Sequence, residues 1–175
     1  MAVDLRAFVR DIPDFPKPGI GFKDITPVLA DPAGLDAAVR GLADWARPRD
    51  VDVVIGAEAR GFLLGSAVAR DLGAGFVLAR KPGKLPYTTV RAEYLLEYGT
   101  DALELHSDAI ARGTRVLVHD DLLATGGTAR ALVELVEMLG GVVVGCAFLI
   151  ELSFLGGRER LGGHDVHALL TYDEE

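Results

Sequence analysis

Short apolar runs alternate with amphipathic stretches along most of the chain. The runs have the length of buried strands, and the stretches show the spacing of helices with one apolar face. This alternation predicts an α/β fold, in which a central, mainly parallel sheet is flanked by helices and binds ligands at the carboxyl ends of its strands. The predicted strands are residues 51–55, 75–79, 116–118 and 142–150, and the predicted helices are residues 33–46, 61–72 and 129–139.

Two segments interrupt this alternation. Four prolines between residues 13 and 27 exclude a continuous helix, so residues 1–32 are expected to form a structured arm, or hood, across the sheet. Asp31 and Pro32 then have the pattern of a helix cap and a first helical position. Residues 80–100 begin with a basic cluster and continue as a polar, irregular segment, which predicts a mobile lid. No linker or repeat divides the chain, so a single domain is expected.

Composition limits the kind of partner. The chain has 175 residues, of which 50% are hydrophobic, and a net charge of -8. This acidic balance argues against nucleic acid, and no apolar stretch reaches the length of a membrane-spanning helix. Cys146 is the single cysteine, so a disulfide within the chain is impossible and a reducing, cytoplasmic location is expected. His164 and His167 lack a third ligand nearby, so we expect no metal ion held by the protein alone.

Residues 116–128 combine the features of a site for a phosphorylated sugar. They read Val-Leu-Val-His-Asp-Asp-Leu-Leu-Ala-Thr-Gly-Gly-Thr, which indicates a buried strand, two acids where it ends, a glycine-bearing loop and the start of a helix. Backbone N–H groups of such a loop can bind phosphate, and the carboxylates can accept hydrogen bonds from vicinal sugar hydroxyls. The alternative is a strand, a turn and a helix without a ligand. The candidate sugar-binding residues are Asp120 and Asp121, and the candidate phosphate-binding residues are Ala124, Thr125, Gly126, Gly127 and Thr128.

A second anion site is predicted where the strand at residues 51–55 ends. The turn that follows places an arginine at the start of a helix, where backbone donors and a guanidinium can bind an anion together. The alternative is a surface arginine paired with Glu58. We expect the cations of the nearby basic cluster to repel one another until an anion neutralises them. The candidate residues are Glu58, Ala59 and Arg60 in the turn, and Arg80, Lys81 and Lys84 in the basic cluster.

Two of these stretches resemble a known family. The run Asp-Asp-Leu-Leu-Ala-Thr-Gly-Gly-Thr resembles the motif with which type I phosphoribosyltransferases bind phosphoribosyl pyrophosphate (PRPP). Residues 15–29, Phe-Pro-Lys-Pro-Gly-Ile-Gly-Phe-Lys-Asp-Ile-Thr-Pro-Val-Leu, resemble the base-binding hood of adenine phosphoribosyltransferases. The resemblance implies that Phe22 stacks on the base while backbone groups near Gly21 and Lys23 read its edge. Gly21 departs from the valine of the family pattern, and the alternative role of Phe22 is a core aromatic that fixes the arm.

The same resemblance implies a reaction, in which adenine and PRPP give AMP and pyrophosphate. Glu97, in Leu-Glu-Tyr-Gly, matches the glutamate that lies over the reacting base, and it is the candidate general base. Arg60 would stabilise the leaving pyrophosphate. Mg²⁺, held mainly by PRPP and water, is the implied cofactor, and a homodimer is the implied assembly. His119 stands where the family pattern has an aliphatic residue, and we expect a neutral, hydrogen-bonded histidine at the end of the strand.

Two other functions stay open at this point. A phosphoribosyltransferase for xanthine, hypoxanthine or guanine would share the PRPP motif, although its hood should differ. A PRPP-binding regulator of purine metabolism would be expected to carry a nucleic-acid-binding module or a basic face, and neither is visible in the sequence.

Overall fold

A five-stranded parallel sheet forms the centre of the molecule, which is described over residues 3–95 and 99–174 by a computed structural model. In chain order the strands are β1 (Arg10–Ile12), β2 (Phe22–Asp24), β3 (Val53–Ala57), β4 (Gly75–Ala79), β5 (Thr89–Leu95), β6 (Thr100–His106), β7 (Arg115–Leu123), β8 (Val142–Leu152) and β9 (Val166–Tyr172). The helices are α1 (Thr26–Ala30), α2 (Pro32–Ala46), α3 (Arg60–Leu72) and α4 (Gly127–Met138). The central sheet has the order β4-β3-β7-β8-β9, and all its pairs are parallel.

Helices cover both faces of the sheet, and each face buries its own apolar cluster. On one face, Leu42 of α2 and Leu64 of α3 pack with Leu117 of β7. On the other face, Leu132 of α4 packs with Phe148 of β8. These side chains are removed from water completely, which is the main stabilising contribution to such a core. The predicted fold, a mainly parallel sheet flanked by helices, is therefore confirmed.

Asp31 and Pro32 determine where α2 begins. The carboxylate of Asp31 accepts hydrogen bonds from the N–H groups of Ala33 and Gly34, both at 2.9 Å, and Pro32 occupies the first helical position. The cap satisfies backbone donors that have no partner inside the helix, and proline is tolerated there because its missing N–H is not needed. The predicted cap and helix are confirmed.

Strand β7 is longer than its apolar run predicts. The acid pair was expected just beyond the strand end, but β7 continues to Leu123 and pairs with β8 up to the register of Leu123 with Glu151. The long partner strand satisfies the backbone groups around the acids, and the acids are therefore carried inside a rigid element.

The second half of the predicted lid is regular, which corrects the expectation of an irregular segment. β5 and β6 form an antiparallel hairpin whose register runs from Thr89 opposite His106 to Leu95 opposite Thr100. Alternate residues of β5 face the core, and Ala92 is only 2% exposed. The period-two pattern of a half-buried strand was present in the sequence, but the surrounding polar residues obscured it.

The N-terminal arm lies against the last strand of the sheet. β1 and β2 pair in an antiparallel fashion and are followed by the short helix α1. Arg6 donates to the carbonyl oxygen of Thr171 at 2.7 Å and lies 4.3 Å from the centre of the Tyr172 ring. Within the described residues, no helix has the length and apolar character that crossing a membrane requires.

Candidate active site

The predicted residues that follow β3 and the acid pair with the loop after it converge at the carboxyl ends of β3 and β7. These strands are neighbours, with Gly56 opposite His119, so the segments that follow them meet at one edge of the sheet. Two adjoining clefts open there. One is lined by the acid pair and by residues 122–129, and the other by residues 57–60, Lys81 and the same acid pair.

Residues 124–128, named the phosphate loop after their predicted ligand, run from the end of β7 into the first turn of α4. Gly126 has φ +84°, a conformation that side chains rarely adopt, and α4 begins at the next residue. A Cβ atom on Gly127 would lie 3.2 Å from the carbonyl oxygen of Leu95 and 3.3 Å from the ring of Tyr94. The β5–β6 hairpin therefore approaches the loop closely. α4 begins two residues earlier than predicted, which places Gly127 and Thr128 in its first turn.

The acid pair lies beside the phosphate loop. Asp121 is buried, with 5% of its surface exposed, and its amide donates to Oδ1 of Asp120 at 2.9 Å. Burial, together with the negative charge of Asp121, holds the pKa of Asp120 well above its ordinary value. The two side chains thus form a compact group of carboxyl oxygens near the carboxyl end of β7.

Arg60 connects the acid pair to the hood. Its Nε lies 3.0 Å from Oδ2 of Asp121, and its guanidinium carbon lies 5.3 Å from the centre of the Phe22 ring. Arg60 does not pair with Glu58, which was the alternative expected from the sequence. Glu58 instead accepts from the amide of Lys81 and from Nη2 of Arg80, the latter at 3.3 Å.

Two of the three cations of the basic cluster, Arg80 and Lys81, are bound to carboxylates, which corrects the expectation that the cations of the cluster repel one another. Nζ of Lys81 pairs with Asp101 of β6 and lies 3.1 Å from the hydroxyl of Tyr94. These bonds raise the pKa of Lys81 although burial opposes the change. Burial favours a higher pKa for Glu58, but the hydrogen bonds from the Lys81 amide and from Arg80 outweigh this effect, so the pKa of Glu58 is lowered. The carbonyl oxygen of Lys84 accepts from Arg80 Nη1 at 3.4 Å.

The hood places its aromatic residue near Arg60. Phe22 is half-buried and meets Phe15 edge-to-face, with 5.1 Å between ring centres. The ammonium of Lys23 pairs with Asp11 at 2.6 Å and lies 4.3 Å from the Tyr172 ring, so only the backbone of Lys23 is left for a base. A Cβ on Gly21 would meet no atom within 4 Å, so no close backbone contact requires glycine here.

His119 is buried completely behind the acid pair. Its Nδ1 lies 2.9 Å from the carbonyl oxygen of Ala147, and burial lowers its pKa to about 4. The ring is therefore neutral at ordinary pH, in agreement with the prediction. The predicted position is wrong, because β7 extends four residues beyond His119.

Glu97, the candidate base, lies outside the described residues. Its described neighbours Tyr94 and Leu95 line the cleft beside the phosphate loop. Sequence reasoning missed these two residues, together with Asp101, because it treated the segment as irregular. No cluster of three or more His, Cys, Asp or Glu side chains in the described part of the chain could hold a metal ion.

Comparison with known proteins decides the family. Residues 28–163 match the phosphoribosyl transferase domain family. An adenine phosphoribosyltransferase of Solibacter usitatus is 58% identical over 171 residues, which cover 98% of this chain and 99% of the relative. The chain belongs to the adenine phosphoribosyltransferase family. The enzyme accordingly transfers the phosphoribosyl group of PRPP to adenine, giving AMP and pyrophosphate in purine salvage.

Solved structures of adenine phosphoribosyltransferases share the fold. The enzyme of Thermoanaerobacter pseudethanolicus superposes with a TM-score of 0.94 at 52% identity, over 96% of this chain and 98% of its own. The enzyme of Saccharomyces cerevisiae superposes with a TM-score of 0.90 at 39% identity, over 95% of this chain and 96% of its own, and its structure contains adenine and an imino-altritol bisphosphate. These relatives favour adenine over the other purine bases, and an enzyme over a regulator.

Proposed function

We propose that PRPP lies across the two adjoining clefts, with its 5′-phosphate in the phosphate loop and its pyrophosphate beside residues 58–60. The observation that carries this orientation is the position of the acid pair between the loop and Arg60. The ribose hydroxyls of PRPP need hydrogen-bond acceptors, whereas both of its phosphate ends need donors. The clefts would offer donors in the phosphate loop, acceptors in the acid pair and donors again at Arg60. The substrate then bridges the ends of β3 and β7.

The phosphate loop suits a doubly charged 5′-phosphate. Backbone donors of residues 124–128 and the N-terminal end of the twelve-residue helix α4 favour an anion. The hydroxyls of Thr125 and Thr128 add donors. Neither Gly126 nor Gly127 has a side chain that could block the backbone.

Catalysis in this arrangement is electrostatic. Breaking the bond between C1′ and pyrophosphate develops positive charge on the ribose and negative charge on the leaving group. Arg60, Arg80, Lys81 and Lys84 would stabilise the leaving group. Two of these cations are held by carboxylates that sit in the same cleft, so pyrophosphate oxygens would replace carboxylate oxygens as their partners. The acid pair fixes the ribose while the bond breaks.

Adenine would stack on Phe22 in the hood. Backbone groups of Gly21 and Lys23 would form hydrogen bonds with the edge of the base. These bonds would give specificity for adenine without a charged side chain. Adenine must lose a proton when N9 becomes glycosylated, and Glu97 is the proposed base. Replacement of Glu97 by glutamine should therefore lower turnover with adenine and leave PRPP binding in place.

Mg²⁺ is the proposed cofactor, held mainly by PRPP and water. Phosphate oxygens are hard ligands that Mg²⁺ prefers, and it commonly keeps several waters. In the structure, Asp121 pairs with Arg60 and Glu58 pairs with Arg80. When bound, the ion would neutralise charge on the leaving pyrophosphate.

We also propose a cytoplasmic homodimer. Leu63 of α3 is 51% exposed and Leu78 of the edge strand β4 is 43% exposed, and a second copy of the chain would bury such side chains. The cytoplasmic location rests on the buried, unpaired thiol of Cys146, which suits a reducing compartment. Light scattering coupled to size-exclusion chromatography gives the assembly: a mass of one chain at micromolar concentration would contradict the dimer.

The activity is tested by incubating the protein with PRPP, Mg²⁺ and one purine base at a time. Nucleotide should form with adenine, and hypoxanthine, guanine and xanthine should react at least about a thousandfold more slowly, since a site built to hydrogen-bond one base leaves its polar groups unpaired with another. Omission of Mg²⁺ should abolish the reaction with adenine. Comparable turnover of a 6-oxopurine would contradict the proposed role of the hood.

A further inference from the structure

We propose that the 3-10 segment Gly157–Leu161, held by the ion pair of Arg158 with Glu151, positions the phosphate loop for PRPP binding. We call this stretch the supporting segment. The proposal rests on the proposed function, in which the loop holds the 5′-phosphate. The supporting segment does not line the clefts, so its residues act through the loop and are positioning residues.

The backbone of the supporting segment touches the backbone of the phosphate loop. A Cβ on Gly126 would lie 2.6 Å from the carbonyl oxygen of Gly157. A Cβ on Gly157 would fall on the carbonyl oxygen of Ala124 and lie 3.0 Å from the amide nitrogen of Gly126. Two glycines therefore face each other at a distance that no other residue type permits without a shift of one backbone. The outer side of the loop is shaped by this contact.

An ion pair between the half-exposed Arg158 and the buried Glu151 fixes the supporting segment to the sheet. Nε of Arg158 donates to Oε1 of Glu151 at 3.0 Å, and Nη2 donates to Oε2 at 2.5 Å, so the ion pair is bidentate. The third nitrogen, Nη1, donates to the carbonyl oxygen of Val166 at 2.6 Å. Glu151 is only 4% exposed, and it stands opposite Leu123 in the register of β8 with β7. Arg158 is thus anchored beside the residue that precedes the phosphate loop.

The far end of the supporting segment is anchored by packing. Leu161 is fully buried in the apolar cluster that also contains Leu123 and Leu132 of α4. Leu161 alone would keep the segment on the protein, but it would not set the segment's position along the loop. The guanidinium of Arg158, with three directed hydrogen bonds, supplies that constraint. Because the guanidinium is planar, its paired donors fit the Glu151 carboxylate in one orientation. The phosphate loop consequently receives its shape from Glu151 through Arg158 and Gly157.

The first test adds one methyl group at the contact. Gly157→Ala should displace the loop and raise the Kd for PRPP, measured calorimetrically with Mg²⁺, about tenfold or more, a change of about 1.4 kcal/mol. Gly75→Ala is the matched control, since its Cβ would meet its nearest neighbour, a methyl group of Val53, at an ordinary 3.5 Å. A PRPP affinity equal to that of the control, in a folded Gly157→Ala protein, would overturn the proposal.

The second test removes the ion pair and separates positioning from stability. Arg158→Met should raise KM for PRPP about tenfold. KM for adenine should change by less than about twofold, because the hood and the phosphate loop are separate elements. Arg158→Lys should recover part of the loss. Arg40→Met, which breaks an exposed pair with Asp36 on α2, is the control. Equal changes in both KM values, or none, at a temperature where each variant is folded, would overturn the proposal.

Failure of this proposal differs from failure of the phosphate site itself. Gly127→Val acts inside the loop and serves as the reference. Lost PRPP binding in Gly127→Val with normal binding in Gly157→Ala and Arg158→Met would refute the supporting segment alone. Normal PRPP binding in all three variants would refute the phosphate site and, with it, the positioning role.

Discussion

Nε of Arg60 lies 3.0 Å from Oδ2 of Asp121, and this ion pair joins the turn after β3 to the end of β7. The two partners have different proposed roles, because Arg60 would face pyrophosphate and Asp121 would face the ribose hydroxyls. PRPP binding would therefore exchange one ion pair for two contacts with substrate. The pair also holds both side chains at the cleft, which lowers the cost of ordering them when PRPP binds.

Replacement of Arg60 should affect the chemical step. Arg60→Met removes a cation beside the leaving group, so kcat/KM should fall about a hundredfold or more, which corresponds to about 2.7 kcal/mol of transition-state stabilisation. Steady-state kinetics of Arg60→Met and of the surface control Arg40→Met measure this loss. A value of kcat/KM for Arg60→Met within about threefold of the control would remove Arg60 from the mechanism.

Replacement of the acid pair should weaken PRPP binding. Charge-assisted hydrogen bonds contribute roughly 1.5 to 3 kcal/mol each, so the double change Asp120→Ala and Asp121→Ala should raise the Kd for PRPP by about two to four orders of magnitude. Asp36→Ala with Asp44→Ala removes two exposed acids of α2 and is the charge-matched control. An unchanged KM for PRPP in the first double variant would show that the ribose hydroxyls bind elsewhere.

His119 should contribute to stability in a pH-dependent way. Burial lowers its pKa from 6.5 to about 4, so the folded protein holds fewer protons than the unfolded chain between these values. The contribution is complete above the unfolded pKa and is lost as the pH falls towards the folded pKa. Its loss between about pH 7.5 and about pH 5 amounts to about 2 kcal/mol.

The variant His119→Val isolates this contribution. Urea unfolding of the parent protein and of the variant, at both pH values, gives the free energy of unfolding of each. The advantage of the parent should shrink by about 2 kcal/mol on acidification. The other titratable groups are present in both proteins, so their contributions to the pH dependence cancel in this comparison. Turnover of the variant should stay within about tenfold, because no step needs a group at this position. A stability difference that is independent of pH would contradict a neutral buried ring.

The hairpin and the basic cluster should be protected by substrate. Arg91 lies in β5 opposite Glu104, whereas Lys84 lies in the connection before the hairpin. Trypsin should therefore cut at Lys84 before Arg91, and PRPP with Mg²⁺ should slow this cut far more than cuts elsewhere, because pyrophosphate would bind the cluster. Mass spectrometry identifies the fragments and their rates of formation. Equal rates of cleavage with and without PRPP and Mg²⁺ would contradict a ligand-dependent lid.

Local signals in the sequence were sufficient for most of the fold. The strands β3, β4 and β8 are nearly continuous apolar runs, and α2 carries its own cap, so these elements need no information from distant residues. β7 could not be predicted in full, because the polar residues 119–121 interrupt its apolar run, although the strand continues to Leu123 in pairing with β8. β5 carried a period-two signal, but its tertiary partner β6 was needed to distinguish a strand from a solvated loop.

The position of the clefts was predictable from the sequence, but the contacts within them were not. The spacing of the acid pair, the phosphate loop and Arg60 located the cleft, because the carboxyl ends of neighbouring parallel strands meet at one edge. Ion-pair partners depend on side-chain reach across the fold, so the choice of Asp121 over Glu58 for Arg60 could not be read from the chain. The same holds for Gly157, whose role depends on a segment that packs against the phosphate loop from outside.

The account depends most on the phosphate loop as the PRPP site, and a calorimetric titration tests it directly. Parent protein, Gly127→Val and the control Gly75→Val are each titrated with PRPP in the presence of Mg²⁺, after thermal unfolding has established that all three are folded. A branched side chain on Gly127 would obstruct the backbone donors and meet Leu95 and Tyr94, so the Kd for PRPP should rise about a hundredfold or more while the control stays within about threefold. A Kd for Gly127→Val within about threefold of the parent would contradict the account.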